Sequence, residues 1–239
     1  MKSIKITFLK FRLKYFPRFS GKYDFNRILQ AEGISVGDKT IFYNPTSMNI
    51  DRQRPWMLKI GDYCKITKGV TILTHDYSRS VLRRVYGEII GEAGQTVIGD
   101  NVFIGMNSII LMGSRIGNNV IIGAGSVVSG VIPDNCVAAG NPCRVLCGLE
   151  EHYQKRKEKT LKEAKVYYKT FVEQYNREPT IVEMGPFFPL FLERNEEAIV
   201  RHGINVDLSG DEKSGIISDF LKTKSEYNSY EAFLQEMRK

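Results

Sequence analysis

From Ile98 to Pro133 the chain repeats itself every six residues, and that period leaves few folds open. Written in sixes the stretch reads IGDNVF, IGMNSI, ILMGSR, IGNNVI, IGAGSV, VSGVIP. Ile98, Ile104, Ile110, Ile116, Ile122 and Val128 take the first place, and Val102, Ser108, Ser114, Val120, Ser126 and Ile132 the fifth. Gly99, Gly105, Gly117 and Gly123 follow the leading aliphatic residue. On an α-helix six residues advance about 600°, which would scatter the isoleucines around the cylinder. On a three-faced prism each hexad gives one short strand and one corner. The leading residue then points to the axis, and the fifth also faces inward, where small or β-branched types fit. Gly and Asn suit corners that need a positive φ or a close backbone approach. Three hexads close one coil, and coils stack about 4.8 Å apart by strand pairing. Each coil buries its aliphatic layer only on its neighbours, so several are required. The fold class is β: a parallel β-helix of hexapeptide repeats.

The same beat runs earlier with less regularity. Ile60 opens IGDYCK, Ile66 opens ITKGVT, Ile72 opens ILTHDY, and Val36 opens VGDKTI ahead of Phe42. Residues 44–58 blur it, with Pro45 and Pro55 marking bends. Ile72 and Ile98 are 26 residues apart, not a multiple of six, so an external loop over 76–96 leaves the prism just after His75. It carries Arg79, Arg83, Arg84, Glu88 and Glu92, and Gly87, Gly91 and Gly94. A loop that long in a regular scaffold is usually functional.

The ends differ from the repeat. Residues 1–27 hold Lys2, Lys5, Lys10, Arg12, Lys14, Arg18, Lys22 and Arg27 against Asp24 alone, which accounts for the whole net charge of +7. Phe8, Phe11, Tyr15, Phe16, Phe19, Tyr23 and Phe25 lie among them. Residues 1–33 are expected to cap the first coil with their basic groups in water. The competing reading is a basic aromatic surface that touches anionic lipid at the inner face of a membrane. No recognition motif supports a nucleic-acid partner. Lysines and arginines interrupt every apolar run, which excludes a signal peptide, and no run reaches the ~18 residues of a membrane span. The four cysteines, Cys64, Cys136, Cys143 and Cys147, form no CxxC pair, so reduced thiols in the cytoplasm are expected. Cys64 takes a fifth-place slot in the core. The prism occupies 34–148, and 149–239 is a helical C-terminal extension. Leu161, Ala164, Tyr168, Phe171 and Tyr175 mark a first helix over 149–176. Further helices are expected over Leu190–His202, Lys213–Leu221 and Tyr230–Arg238.

His75, in LTHDY, is the one histidine of the repeat region; His152 and His202 lie in the tail. It stands at the phase break, ahead of the long loop, on a rigid scaffold, where catalytic groups concentrate. Here the sequence resembles the hexapeptide acyltransferases, near the maltose/galactoside O-acetyltransferase branch. IGDYCKITKGV, LTHD, IGDNVFIG, IGAGSVV and IPDNCVAAGNPCRV carry the resemblance, over residues 36–148. It implies a left-handed coil, against the usual right-handed crossover, a homotrimer, and acetyl-coenzyme A as acyl donor in the groove between two prisms. It implies His75 as the catalytic base and Met106 as the main-chain N–H donor to the acetyl group. Coenzyme contacts fall on Gly105, Met106, Ala124, Ser129, Gly130 and Arg144. Acceptor contacts fall on Asn44, Asp51, Arg54 and Phe103. Asp51 and Arg54 can equally form an ion pair. Gly130 and Cys147 stand where the branch often has basic side chains, with Lys155 or Arg156 as substitutes. The branch's N-terminal helical module is not recognisable.

The chemistry suits these residue types. A sugar hydroxyl needs a base during attack on a thioester, and imidazole can take that proton near neutral pH and return it to the leaving thiolate. The charge on the attacked carbonyl oxygen needs a donor. The expected activity is O-acetylation of a carbohydrate hydroxyl, with a bacterial surface polysaccharide or its precursor as acceptor. Alternatives are N-acetylation of a nucleotide-linked amino sugar, with Asp76 as the amine's carboxylate, an antibiotic acetyltransferase, and a non-enzymatic polysaccharide-binding solenoid. A zinc site of the γ-carbonic anhydrase type needs three converging histidines, so no metal is expected. Asp76, Glu88 and a backbone carbonyl are the candidates to orient His75.

Overall fold

The hexads become strands of two or three residues joined by tight corners. The first coil is β1 (Ser35–Val36), β2 (Ile41–Phe42) and β3 (Asn49–Ile50), and the second is β4 (Leu58–Ile60), β5 (Lys65–Ile66) and β6 (Thr71–Ile72). The third is β7 (Thr96–Ile98), β8 (Phe103–Ile104) and β9 (Ile109–Ile110), and the fourth is β10 (Arg115–Ile116), β11 (Val120–Ile122) and β12 (Val127–Val128). β13 (Val131–Ile132) and β14 (Cys136–Ala139) open a fifth, and β15 (Arg144–Gly148) folds back antiparallel on β14. The strands stack into three sheets, β1-β4-β7-β10-β13, β2-β5-β8-β11-β14-β15 and β3-β6-β9-β12, the three faces of a left-handed β-helix. This computed structural model describes residues 2–17, 20–207 and 211–239, with side chains from Lys5 onward. Arg18, Phe19 and the side chain of Lys2 lie outside the described residues.

Register explains the beat. Ile60 pairs with Ile98 and Ile98 with Ile116; Ile66 pairs with Ile104 and Ile104 with Ile122; Ile72 pairs with Ile110 and Ile110 with Val128. All are buried, so each face contributes one aliphatic column to the axis. The fifth-place residues Val102, Ser108, Ser114, Val120 and Ser126 are buried too. Their hydroxyls are spent on main-chain oxygens: Ser108 Oγ donates to Gly105 O at 2.8 Å, and Ser126 Oγ to Gly123 O at 2.6 Å. Cys64 fills the same slot, and burial pushes its thiol up. The last hexad departs from the sequence reading. Ile132, a fifth-place residue by counting, pairs with the leading Ile116, because Ser129 and Gly130 turn the corner in two residues with Gly130 at φ 86°.

The corner residues divide the work in a way the repeat pattern does not separate. The positive φ falls on the fourth place: Asn101, Asn107, Gly113, Asn119 and Gly125. Asn101 Nδ2 donates to Asn119 Oδ1, and Asn119 Nδ2 to Asn135 Oδ1, both at 2.9 Å, a ladder down one corner. The second-place glycines serve close approach instead. A Cβ on Gly105 would lie 2.4 Å from Ala124 N and 2.7 Å from its Cα, both main chain. Gly105→Ala must therefore push neighbouring coils apart, at a cost of about 3 kcal/mol, or roughly 5–10 °C in a thermal melt. Gly125→Asn is expected to stay within about 1 kcal/mol, since Asn tolerates that φ and a Cβ there meets nothing within 4 Å.

Two helices precede the coil, where the sequence reading expects only a cap. α1 (Lys2–Tyr15) has its apolar residues on two sides, interrupted by lysines, which hides the helical period. α2 (Asp24–Ala31) buries Phe25, Ile28 and Leu29, and the Phe25 ring meets Phe42 edge-on at 5.0 Å. α2 thus covers the open end of the aliphatic column. The external loop is not all irregular: α3 (Arg79–Tyr86) lies in it, closed by Gly87 at φ 70°.

The chain divides into two units, residues 1–152 and 153–239. α4 (Leu149–Tyr175) matches the expected helix. In the second unit Ala164 and Tyr168 pack with Met184, Phe188, Phe191, Phe220 and Phe233. α5 (Glu196–Arg201) is shorter than expected, because Asn195 caps it through Ala198 N at 2.7 Å while Gly185–Leu190 forms a 3₁₀ turn. α6 (Lys213–Lys222) and α7 (Tyr230–Met237) complete the unit. Arg238 and Tyr168 hydrogen-bond Glu178, holding its carboxyl down at about 2. Among the described residues no helix is long and apolar enough to cross a membrane.

Candidate active site

The prism has three corners, and the candidate residues fall on two of them. β6 and β7 lie on different faces, and His75 follows β6 at the corner between those faces. One coil earlier, after β3, the same corner carries Asp51. The two meet: His75 Nδ1 lies 2.5 Å from Asp51 Oδ2, and both side chains are buried, His75 at 8% exposure. An ionised carboxylate only accepts, so the ring proton sits on Nδ1 and the Nε2 lone pair is left for chemistry. Among the described residues nothing hydrogen-bonds Nε2. Tyr77 stands edge-on to the ring at 5.4 Å.

Asp51 is itself held on all sides. Thr74 N donates to Oδ2 at 3.1 Å, the Thr74 hydroxyl donates to the same oxygen, and Gln53 N donates to Oδ1 at 3.0 Å. Burial raises the Asp51 carboxyl, but the hydrogen bonds from Thr74, Gln53 and His75 outweigh it and leave the group below its ordinary value. A carboxyl depressed on folding stabilises the fold above its unfolded value, about 3.9, and that contribution disappears as the pH falls through the lowered folded value. Wild type should therefore melt above Asp51→Asn at pH 7, with the gap closing below about pH 4.

Asp51 thus has its oxygens turned to the His75 corner, and among the described residues no ion pair joins it to Arg54. Arg54 Nη1 reaches Glu92 O at 3.4 Å, in the external loop. Of the expected orienters of His75, Asp76 is turned to Ser78, accepting its N–H at 2.8 Å and its hydroxyl at 2.7 Å. Those bonds hold the Asp76 carboxyl below its ordinary value at the turn into α3.

The second corner, between the faces of β8 and β9, carries Met106 and Ala124 one coil apart. Gly125 N donates to Met106 O at 2.8 Å. Met106 is 52% exposed, and among the described residues its N–H donates no hydrogen bond. Asn44 lies on this corner in the first coil, at φ 59°, where its Oδ1 accepts from the Thr46 hydroxyl. Phe103 is exposed on the outer side of β8. Gly105 is buried and its N–H donates to Ile122 O at 2.8 Å. Ser129 and Gly130 are exposed on the His75 corner, two coils further along. Arg144 opens β15, exposed, with Nη1 on Cys143 O at 2.9 Å. One chain therefore brings His75 to Asp51 and Met106 to Ala124, but the two pairs stand on different corners. Among the described residues no group of His, Cys, Asp or Glu could hold a metal ion.

Residues 95–130 match the family described as bacterial transferase hexapeptide, six repeats. Protein CapG of Staphylococcus aureus is 39% identical over 127 residues, 52% of this chain and 70% of that protein. The galactoside O-acetyltransferase of Escherichia coli K12 is 39% identical over 101 residues, 41% of this chain and 49% of the enzyme. A maltose O-acetyltransferase structure from Clostridium difficile 630 aligns at 28% identity and TM-score 0.43, over 62% of this chain and 88% of that one. The chain belongs to the hexapeptide-repeat transferases. It spans about half the length of the galactoside enzyme it matches.

Proposed function

We propose that the protein transfers an acetyl group from acetyl-coenzyme A to a carbohydrate hydroxyl, with His75 as general base. The carrying observation is the His75–Asp51 contact, which fixes the tautomer and leaves Nε2 without a partner among the described residues on a rigid corner. Nε2 takes the hydroxyl proton during attack and delivers it to the departing thiolate. Asp51 stabilises the imidazolium in between, as a buried carboxylate does for a catalytic histidine in hydrolases. The unspent Met106 N–H supplies the donor for charge on the attacked carbonyl oxygen. Met106 and His75 stand on different corners, so a complete site forms where the first corner of one copy meets the second corner of another. A homotrimer of three-sided prisms provides three such seams. On the second corner Ala124 offers main chain to the donor, and Arg144 a guanidinium for its phosphates.

The galactoside relative supports a sugar acceptor, and a surface polysaccharide or its precursor is the acceptor class proposed. The test is thiol release from acetyl-coenzyme A in the presence of candidate sugars, with mass spectrometry on the acceptor. Acetyl gain on a hydroxyl supports the reading; thiol release with only amines acetylated contradicts it.

A further inference from the structure

The first helix of the chain presents two apolar faces, and the coil uses only one. Ile6, Leu9 and Leu13 are half-buried on one side, and Leu13 packs against the prism core. Ion pairs fix the helix there: Lys10 to Glu32 at 2.6 Å, and Arg12 to the buried Asp24. On another side Phe8, Phe11 and Tyr15 follow the same three-then-four spacing, and they stand 59%, 52% and 57% exposed. Phe16 joins them: the Phe11 ring lies 4.9 Å from Tyr15 and 6.1 Å from Phe16, a contiguous patch of three rings, with Phe8 one turn earlier under the Arg12 guanidinium at 5.7 Å. Lys5 and Lys14 are exposed beside it, with Lys14 Nζ 5.1 Å over the Tyr15 ring. No acidic residue occurs before Asp24.

We infer that α1 is a docking helix for an anionic lipid surface, seated through Phe8, Phe11, Tyr15 and Phe16 with Lys5 and Lys14 at the headgroups. A contiguous aromatic patch in water marks a surface that something covers. Rings flanked by Lys5 and Lys14, with the nearby carboxylates of Glu32 and Asp24 already paired to Lys10 and Arg12, fit the boundary between headgroups and acyl chains, where aromatic residues seat and cations meet phosphate. A second copy of the same patch is a poor occupant, because it would bring lysine to lysine with no carboxylate between them. The inference rests on α1 alone and holds whichever acceptor the active site takes.

The test uses the full chain and sedimentation with vesicles of phosphatidylcholine alone, or with about 30% phosphatidylserine. Binding to the anionic vesicles is expected to be at least about tenfold tighter and to weaken with salt. Phe8→Ser/Phe11→Ser/Tyr15→Ser should lose at least about tenfold of that binding, with thiol release toward a soluble sugar unchanged. Lys5→Glu/Lys14→Glu should remove the preference for anionic lipid. A single Phe11→Trp change in a Trp56→Phe background gives a readout that does not depend on the triple variant folding: its emission should shift to the blue on anionic vesicles. Absence of sedimentation, binding untouched by the aromatic changes, or no emission shift each overturns the inference. So does an aromatic variant whose only change is a smaller assembly in light scattering, which would assign the patch to a second copy.

Discussion

Replacing His75 by alanine should leave the coil folded and lower kcat for acetyl transfer by about a thousandfold or more, the size lost with a general base that serves both proton transfers. The coil does not need the ring: the column from Ile60 to Ile132 lies on the axis, and Asp51 keeps Thr74 and Gln53 as partners when the imidazole is gone. KM for the acyl donor should change little, since Ala124 and Arg144, the donor contacts proposed above, are not on the His75 corner. Stopped thiol release with an unchanged thermal melt supports the role; full activity in His75→Ala refutes it.

Met106→Pro should cost about a hundredfold in kcat, because it deletes one oxyanion donor and little else. The change is available because of the turn Met106 occupies. Ser108 N reaches Gly105 O at 3.4 Å, and Asn107 in third position has φ 59°. Proline suits the second position of such a turn, and the N–H it removes donates to no described residue. Met106→Ala keeps that N–H and should retain kcat within about fivefold. A melt for Met106→Pro near that of wild type, with kcat reduced and the alanine variant active, separates loss of a donor from loss of fold.

The coil is legible in the sequence because its residues answer to one constraint each. A leading aliphatic residue every six positions can only line an axis, and Ile98, Ile104 and Ile110 do so on three successive faces. The Ile132 slip is not legible, because a two-residue corner at Gly130 leaves the aliphatic count intact while moving its phase. Helix α1 escapes notice because two apolar faces on one helix cancel the periodic signal. His75 can be singled out from its position at the phase break, but its partner cannot. Asp51 sits in the blurred stretch 44–58, where eight residues rather than six separate Phe42 from Ile50. The pairing of Ile50 with Ile72 puts Asp51 beside Leu73 and Thr74, so the missing information is register, not residue type.

The shared site is tested most directly by mixing two inactive subunits. His75→Ala and Met106→Pro chains, differently tagged, are unfolded together and refolded at equal ratio, and assemblies carrying both tags are isolated. If each site takes its base from one copy and its donor from the next, about one seam in three of a mixed trimer regains both groups, and activity returns to roughly a third of wild type. If mixed assemblies stay as inactive as the two parents, base and donor do not meet between copies, and the account is contradicted.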